Sequence, residues 1–158
     1  MTLYIDTQYL TDNTNIRQNV DTSALAPNII KSQDIYISKF LGKELDTYLK
    51  DQIGTGLNAL DNELVNLIKK AHVEYAAYLS YVDILFKFFN KGALTGNSNN
   101  GSFISRNDLI YVRDISKNQA DFYLNEVRLF IEENIESYPQ YKNICCDDTI
   151  SRNPFYFY

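Results

Sequence analysis

At 158 residues, 45% hydrophobic and 22% charged, the chain is one domain's worth of ordinary globular material, able to bury a core without disulfide or metal staples. Its net charge of −5 divides as seven acids against five bases over residues 1–60, four against five over 61–106 and nine against five over 107–158, so it offers no long basic face for gripping nucleic acid. The opening MTLYIDTQYL has no basic stretch ahead of an apolar core, which argues against a secretory leader; the apolar run 75–89 is short and carries Asp83 and Lys87, so no membrane span is expected.

Thirteen Tyr and nine Phe stand against no Trp and one Met. Amphipathic Tyr suits a surface given over to partner contact, whereas an AT-rich coding sequence, also visible in the many Asn, Ile and Lys, would give the same excess. The only cysteines, Cys145 and Cys146, are adjacent and close nothing but a small strained ring, so they read as free thiols of a reducing compartment.

Residues 1–26 show no helical period and are expected as an N-terminal arm. The stretch TDNTNIRQNVDTS is rich in turn-forming side chains, while Leu3, Tyr4, Ile5, Tyr9 and Leu10 suit either a short extended anchor or a loose end. Pro27, tolerated in a first turn, is expected to open the helical bundle of residues 27–142. Ile30, Gln33, Ile37 and Leu41 then share a face, Gly42 interrupts, and a short helix from Lys43 to Ile53 carries Leu45, Tyr48 and Leu49 before Gly54 and Gly56 end it.

The stretch 61–90 is the strongest helix signal in the chain. Leu64, Ile68, Ala71, Tyr75, Tyr78, Val82, Leu85 and Phe89 recur at steps of three and four, and from Tyr75 onward apolar residues point nearly all round, so the helix must be covered on more than one side. Asp61, Asn62 and Glu63 are expected to cap its start and Gly92 to close its end. A flexible loop, 93–104, follows. It reads either as a hairpin-like arm that reaches a partner through Leu94, Phe103 and Ile104 or as a plain surface loop, and the arm is favoured.

Ser105 with Asp108 is expected to begin the last long helix, with Leu109, Val112, Ser116, Ala120, Tyr123, Val127 and Phe130 on one face and Pro139 as its stop. Glu132, Glu133 and Glu136 crowd its C-terminal end, where negative charge opposes the helix dipole by roughly 0.3–1 kcal/mol each; they are either a solvated end or acids facing a channel or a basic partner. The tail, 143–158, finishes Phe155-Tyr156-Phe157-Tyr158, an aromatic run costly to leave in water, which either folds back or, as favoured here, docks into another chain.

No catalytic constellation emerges. His72 lies on the long helix, about 16 Å along the rod from Asp83 at helical rise, beyond hydrogen-bond reach, and reads as a core or boundary histidine. GTGLNAL lacks the Lys-Ser/Thr ending and preceding strand of a phosphate loop, and the pairs Asp147-Asp148 and Glu132-Glu133 sit in no metal-loop setting. No enzyme activity, metal or cofactor is expected.

Three stretches carry a family likeness. Ile30, Gln33, Ile37, Leu41-Gly42, Leu45 and Leu49 occur in the order found in the first helices of head–tail connector (portal-adaptor, neck ring) proteins of tailed phages. Asn134, Tyr138-Pro139 and Tyr141 resemble the closing motif of the type found in crAss-like and related Bacteroidetes phages, and the opening from Ile5 to Asp21 is also similar. The loop 93–104 and the aromatic tail lie outside the likeness. The resemblance implies an all-α helical bundle with a long central helix that acts as a structural virion protein. Copies of it would form a homo-oligomeric ring, expected as a dodecamer, beneath the portal protein. That ring would extend the DNA channel and carry the next neck or tail ring protein. Packaged DNA would pass without sequence-specific contact and no membrane would be involved; the protein would assemble in the bacterial host cytoplasm and reside in the virion neck. The alternative is a small helical scaffold or regulatory module that binds a partner helix.

Overall fold

The computed structural model describes residues 2–16, 22–89, 92–95 and 106–141. Its architecture is an all-α helical bundle with a long central helix. The order is α1 (Thr7–Asn13), α2 (Thr22–Ser32), a π-helical turn (Gln33–Ser38), α3 (Lys39–Leu41), α4 (Lys43–Thr55), α5 (Ala59–Leu85), a hairpin of β1 (Phe86–Phe89) and β2 (Gly92–Thr95), α6 (Arg106–Glu133) and a 3-10 turn (Ile135–Ser137).

The central helix, α5, packs chiefly against α6 and α2. One face, Leu64, Ile68, Ala71 and Tyr75, enters the larger core with Ile37, Leu41, Leu45, Leu49, Ala120, Val127, Ile131, Tyr138 and Tyr141. Its other face, Val73, Ala76 and Ala77, meets Ile5, Leu10, Ile16, Leu25 and Ile29 in a second core. Burial on two sides is what the all-round apolar pattern requires, and alanine there lets neighbouring backbones approach.

The ends of the helices depart from the sequence reading at several points. α5 starts at Ala59, because Asn58 and not the Asp61–Glu63 group is the cap: the Asn58 Oδ1 accepts from the Asp61 backbone N–H at 2.8 Å. Asp61 instead sits one turn in, 1% exposed, accepting from Asn58 Nδ2 at 2.7 Å and Tyr48 Oη at 3.0 Å. At the far end, helix gives way after Leu85 instead of running to Asn90. Phe86–Phe89 pairs antiparallel with Gly92–Thr95, Phe89 opposite Gly92, so Gly92 belongs to a strand and does not close the helix. A short aromatic run satisfies both periods, and three phenylalanines in four residues favour the strand.

The N-terminal stretch is also more ordered than its composition suggests. α1 is capped by Asp6, whose side chain accepts from the Tyr9 N–H, and α2 begins five residues ahead of Pro27, which lies inside it. Gly42, at φ 77° and ψ 156°, turns the chain between α3 and α4 in a region that only glycine enters freely. α6 ends at Glu133, with the 3-10 turn following, so Pro139 does not terminate it. The expected cap at Ser105 lies outside the described residues.

Candidate functional site

Three features distinguish this bundle from a bare set of packed helices. The first is a buried polar cluster that ties the N-terminal segment to the core. The Tyr4 hydroxyl donates to Asp46 Oδ1 at 2.8 Å, Lys50 Nζ donates to Asp46 Oδ2 at 2.6 Å, and the Tyr4 N–H donates to Gln33 Oε1 at 3.0 Å. Gln33 Nε2 in turn donates to the Thr2 carbonyl at 3.2 Å. His72, 0% exposed, donates through Nε2 to the Ile29 carbonyl at 3.0 Å and meets the Tyr4 ring edge-on at 6.4 Å. Burial lowers its pKa to about 4, so the imidazole is a neutral, buried strut between α5 and α2. The Tyr4 hydroxyl is pushed well above its ordinary range by burial and by the Asp46 charge.

The second feature lies between α5 and α6. Tyr36 stacks on Tyr75 with centroids 4.1 Å apart and planes 2° from parallel, and the Tyr75 hydroxyl donates to Asp121 Oδ1 at 2.5 Å. The Arg113 guanidinium lies over the Tyr78 ring at 4.6 Å. Beside this seam an open cleft of about 460 Å³ is lined by Asp12–Asn15, by Glu74 and Tyr81 of α5, and by Ser116 and Gln119 of α6 among others. Desolvation holds the half-buried Glu74 carboxyl above its usual pKa, partly offset by the Ser116 hydroxyl.

The third is an apolar stripe on the outside of α6. Tyr111, Ile115, Phe122 and Leu129 are 68%, 39%, 59% and 41% exposed. Steps of four and seven return to nearly the same bearing at 3.6 residues per turn, and at about 100° per residue that bearing is opposite the Ala120–Val127–Ile131 face sunk in the core. Asn118 and Asn125, both exposed, fall on the same bearing between these four. Scattered surface apolars need no explanation, but four on one bearing of a single rod, with the Asn118 and Asn125 amides between them, make a mixed apolar and amide face suited to contact.

The residues expected to bind partners fare unevenly. Leu94 is in β2, while Phe103, Ile104, Phe155, Tyr156, Phe157 and Tyr158 lie outside the described residues. Glu132, Glu133 and Glu136 are all exposed, Glu132 and Glu133 in the last turn of α6 and Glu136 in the 3-10 turn beyond. The stripe was missed by tracing only the core face of α6. Val112, assigned to that face, is itself 39% exposed. The missing signal is the second set at seven-residue spacing, Ile115, Phe122 and Leu129, half a turn away.

Among the described residues no helix is long and apolar enough to cross a membrane. A model of a protein family, described as a family of unknown function (DUF6712), matches residues 18–150. No curated protein and no solved structure matches the chain.

Proposed function

The chain belongs to the DUF6712 family of unknown function, and for it we propose the role of a non-enzymatic head–tail connector subunit of a tailed phage. Copies would form a ring beneath the portal, extend the DNA channel and offer a platform to the next neck or tail component, assembling in the host cytoplasm and ending in the virion neck. The observation that carries this reading is α6 itself: a long helix with one face in its own core and an apolar stripe on the opposite side. A subunit whose burial is completed by other molecules requires such a second face.

Most residues of the resemblance support it from another direction, because they shape the bundle; Ile30, expected on the same face as Gln33 and Ile37, is instead 38% exposed. Gln33, Ile37, Leu41, Leu45 and Leu49 are buried, Gly42 makes the bend between helices, and Tyr138 and Tyr141 close the core beneath α6. The acids Glu132, Glu133 and Glu136, grouped at one end of the molecule, would suit a channel wall that repels phosphate and lets DNA slide. The competing reading, a helical scaffold or regulatory module binding a partner helix, would use the same stripe with a single partner.

Mixing the purified chain with the portal protein of the phage that encodes it separates the two. The connector reading expects rings seated on portal particles by negative-stain microscopy, with many copies per portal. A chain that stays off the portal at all concentrations, or binds as a single copy, removes it. Placement of Glu132, Glu133 and Glu136 far from the ring axis would remove the channel-wall role alone.

A further inference from the structure

We infer that the cleft between the end of α1, α5 and α6 is a socket for an arginine side chain presented by a partner protein. The inference holds whether or not the chain is a connector subunit, because it rests on the cleft alone.

Size comes first. At about 460 Å³ the cleft falls within the roughly 300–1,000 Å³ over which proteins hold small ligands. Ser116 of α6, 5% exposed, lies in it and hydrogen-bonds to the half-buried Glu74 carboxyl of α5, with Tyr81 also in reach of its hydroxyl.

Charge comes second. Asp12 and Glu74 line the cleft, and among the described residues no Lys or Arg does so. Asp12 is held at the exposed rim by Gln8, whose Nε2 donates to its Oδ1 at 2.8 Å. Desolvation already makes the ionised Glu74 costly, and a cation beside it would offset that cost. Among the described residues no three His, Cys, Asp or Glu side chains gather to hold a metal ion, so the cation that fits is an organic one.

Hydrogen bonding comes third, and it favours arginine over lysine. Asn13 Nδ2 donates to the Tyr9 carbonyl at 2.9 Å and the Thr14 hydroxyl to the Leu10 carbonyl at 2.7 Å. Both groups therefore spend donors on the last turn of α1, and what they offer the cleft is oxygen acceptors. A guanidinium carries only donors, set in a planar fork that matches carboxylate and amide oxygens, whereas an ammonium is a more strongly hydrated point charge. Val112 and Ile115, each 39% exposed, and the Tyr81 ring supply an apolar wall for the methylene stem and the flat guanidinium face.

The test titrates the isotope-labelled full chain with Nα-acetyl-arginine amide, following its backbone resonances by NMR. The matching citrulline compound, uncharged and nearly the same shape, is the control ligand. Saturable shifts at Tyr81, Ser116 and Gln119 are expected with the arginine compound in the mM range, and none with citrulline. Glu74→Gln should weaken binding about tenfold or more, the loss of one charge-assisted pair, with the spectrum otherwise that of a folded chain. Asp12→Asn, at an exposed position that does not hold the core, should weaken it several-fold, and Glu133→Gln, the same charge change in the last turn of α6, should bind like the wild type. Equal shifts from the citrulline compound, or no saturable shift from either, would overturn the inference. So would equal losses from Glu74→Gln and Glu133→Gln, which would mark a general charge effect. Tighter binding of spermidine than of the arginine compound would overturn the protein source in favour of a free polyamine.

Discussion

Where the two halves of the core meet, His72 donates through Nε2 to Ile29, while its Nδ1 has no hydrogen-bond partner among the described residues. Its folded pKa, about 4, lies below the ordinary 6.5, so the stability linked to the neutral ring is complete above pH 6.5 and is lost as pH falls toward 4. A full shift of this size corresponds to about 3 kcal/mol as an upper figure. Because His72 is the chain's only histidine, urea unfolding of the wild type and of His72→Gln should show a stability difference that shrinks as pH falls from 6.5 to 4. Half-buried Glu74, whose pKa is raised, works in the opposite direction and is common to both proteins. At Tyr4, the change to Phe removes the donor to buried Asp46 and leaves that carboxylate with Lys50 alone among the partners described above. A loss of about 1–3 kcal/mol is expected in the same assay. The sequence pointed to a core or boundary role for His72. It gave no hint that Tyr4 joins Asp46 and Gln33, because those partners lie 42 and 29 positions away and no local pattern encodes them.

Among the elements, the long helices were legible in their apolar period and their ends were not. The period continues through Phe89, yet helix stops at Leu85, since strand pairing with 92–95 depends on a second segment that a helical repeat does not register. α1 escaped notice because a seven-residue helix with polar neighbours carries too few turns to show a period, and its stability comes from Leu10 entering the second core. The glycines divide in the same physical way. Gly42, at φ 77° and ψ 156°, holds a conformation closed to side chains, so Gly42→Ala should destabilise by about 1–3 kcal/mol. Gly54, inside α4 with open space where a Cβ would stand, should respond oppositely, Gly54→Ala raising stability by about 0.4–1 kcal/mol. Paired thermal denaturations of the two variants check the contrast; a shift in the same direction for both would show that the bend at Gly42 is not held as described.

For the whole molecule, the question is what the outer side of α6 is for. Its inner side already supplies Ala120, Val127 and Ile131 to the core, so Phe122 and Leu129 are not needed to hold the bundle together. Aspartate at both positions should therefore leave the core intact and change the unfolding free energy by no more than about 1 kcal/mol, the range of surface substitutions with a modest local contact. Association should respond differently, because a charge placed in a contact must either be desolvated without a partner or hold the surfaces apart. On the connector reading, Phe122→Asp with Leu129→Asp abolishes co-sedimentation with portal particles while the far-UV spectrum and monomer stability remain those of the wild type. As a control, Ile35→Asp, a charge on an exposed apolar residue of the π turn, should sediment with the portal like the wild type. If the stripe variant binds the portal normally, the assembly surface lies elsewhere on the chain. If both variants fail alike, the loss reflects the added charge generally and says nothing particular about α6.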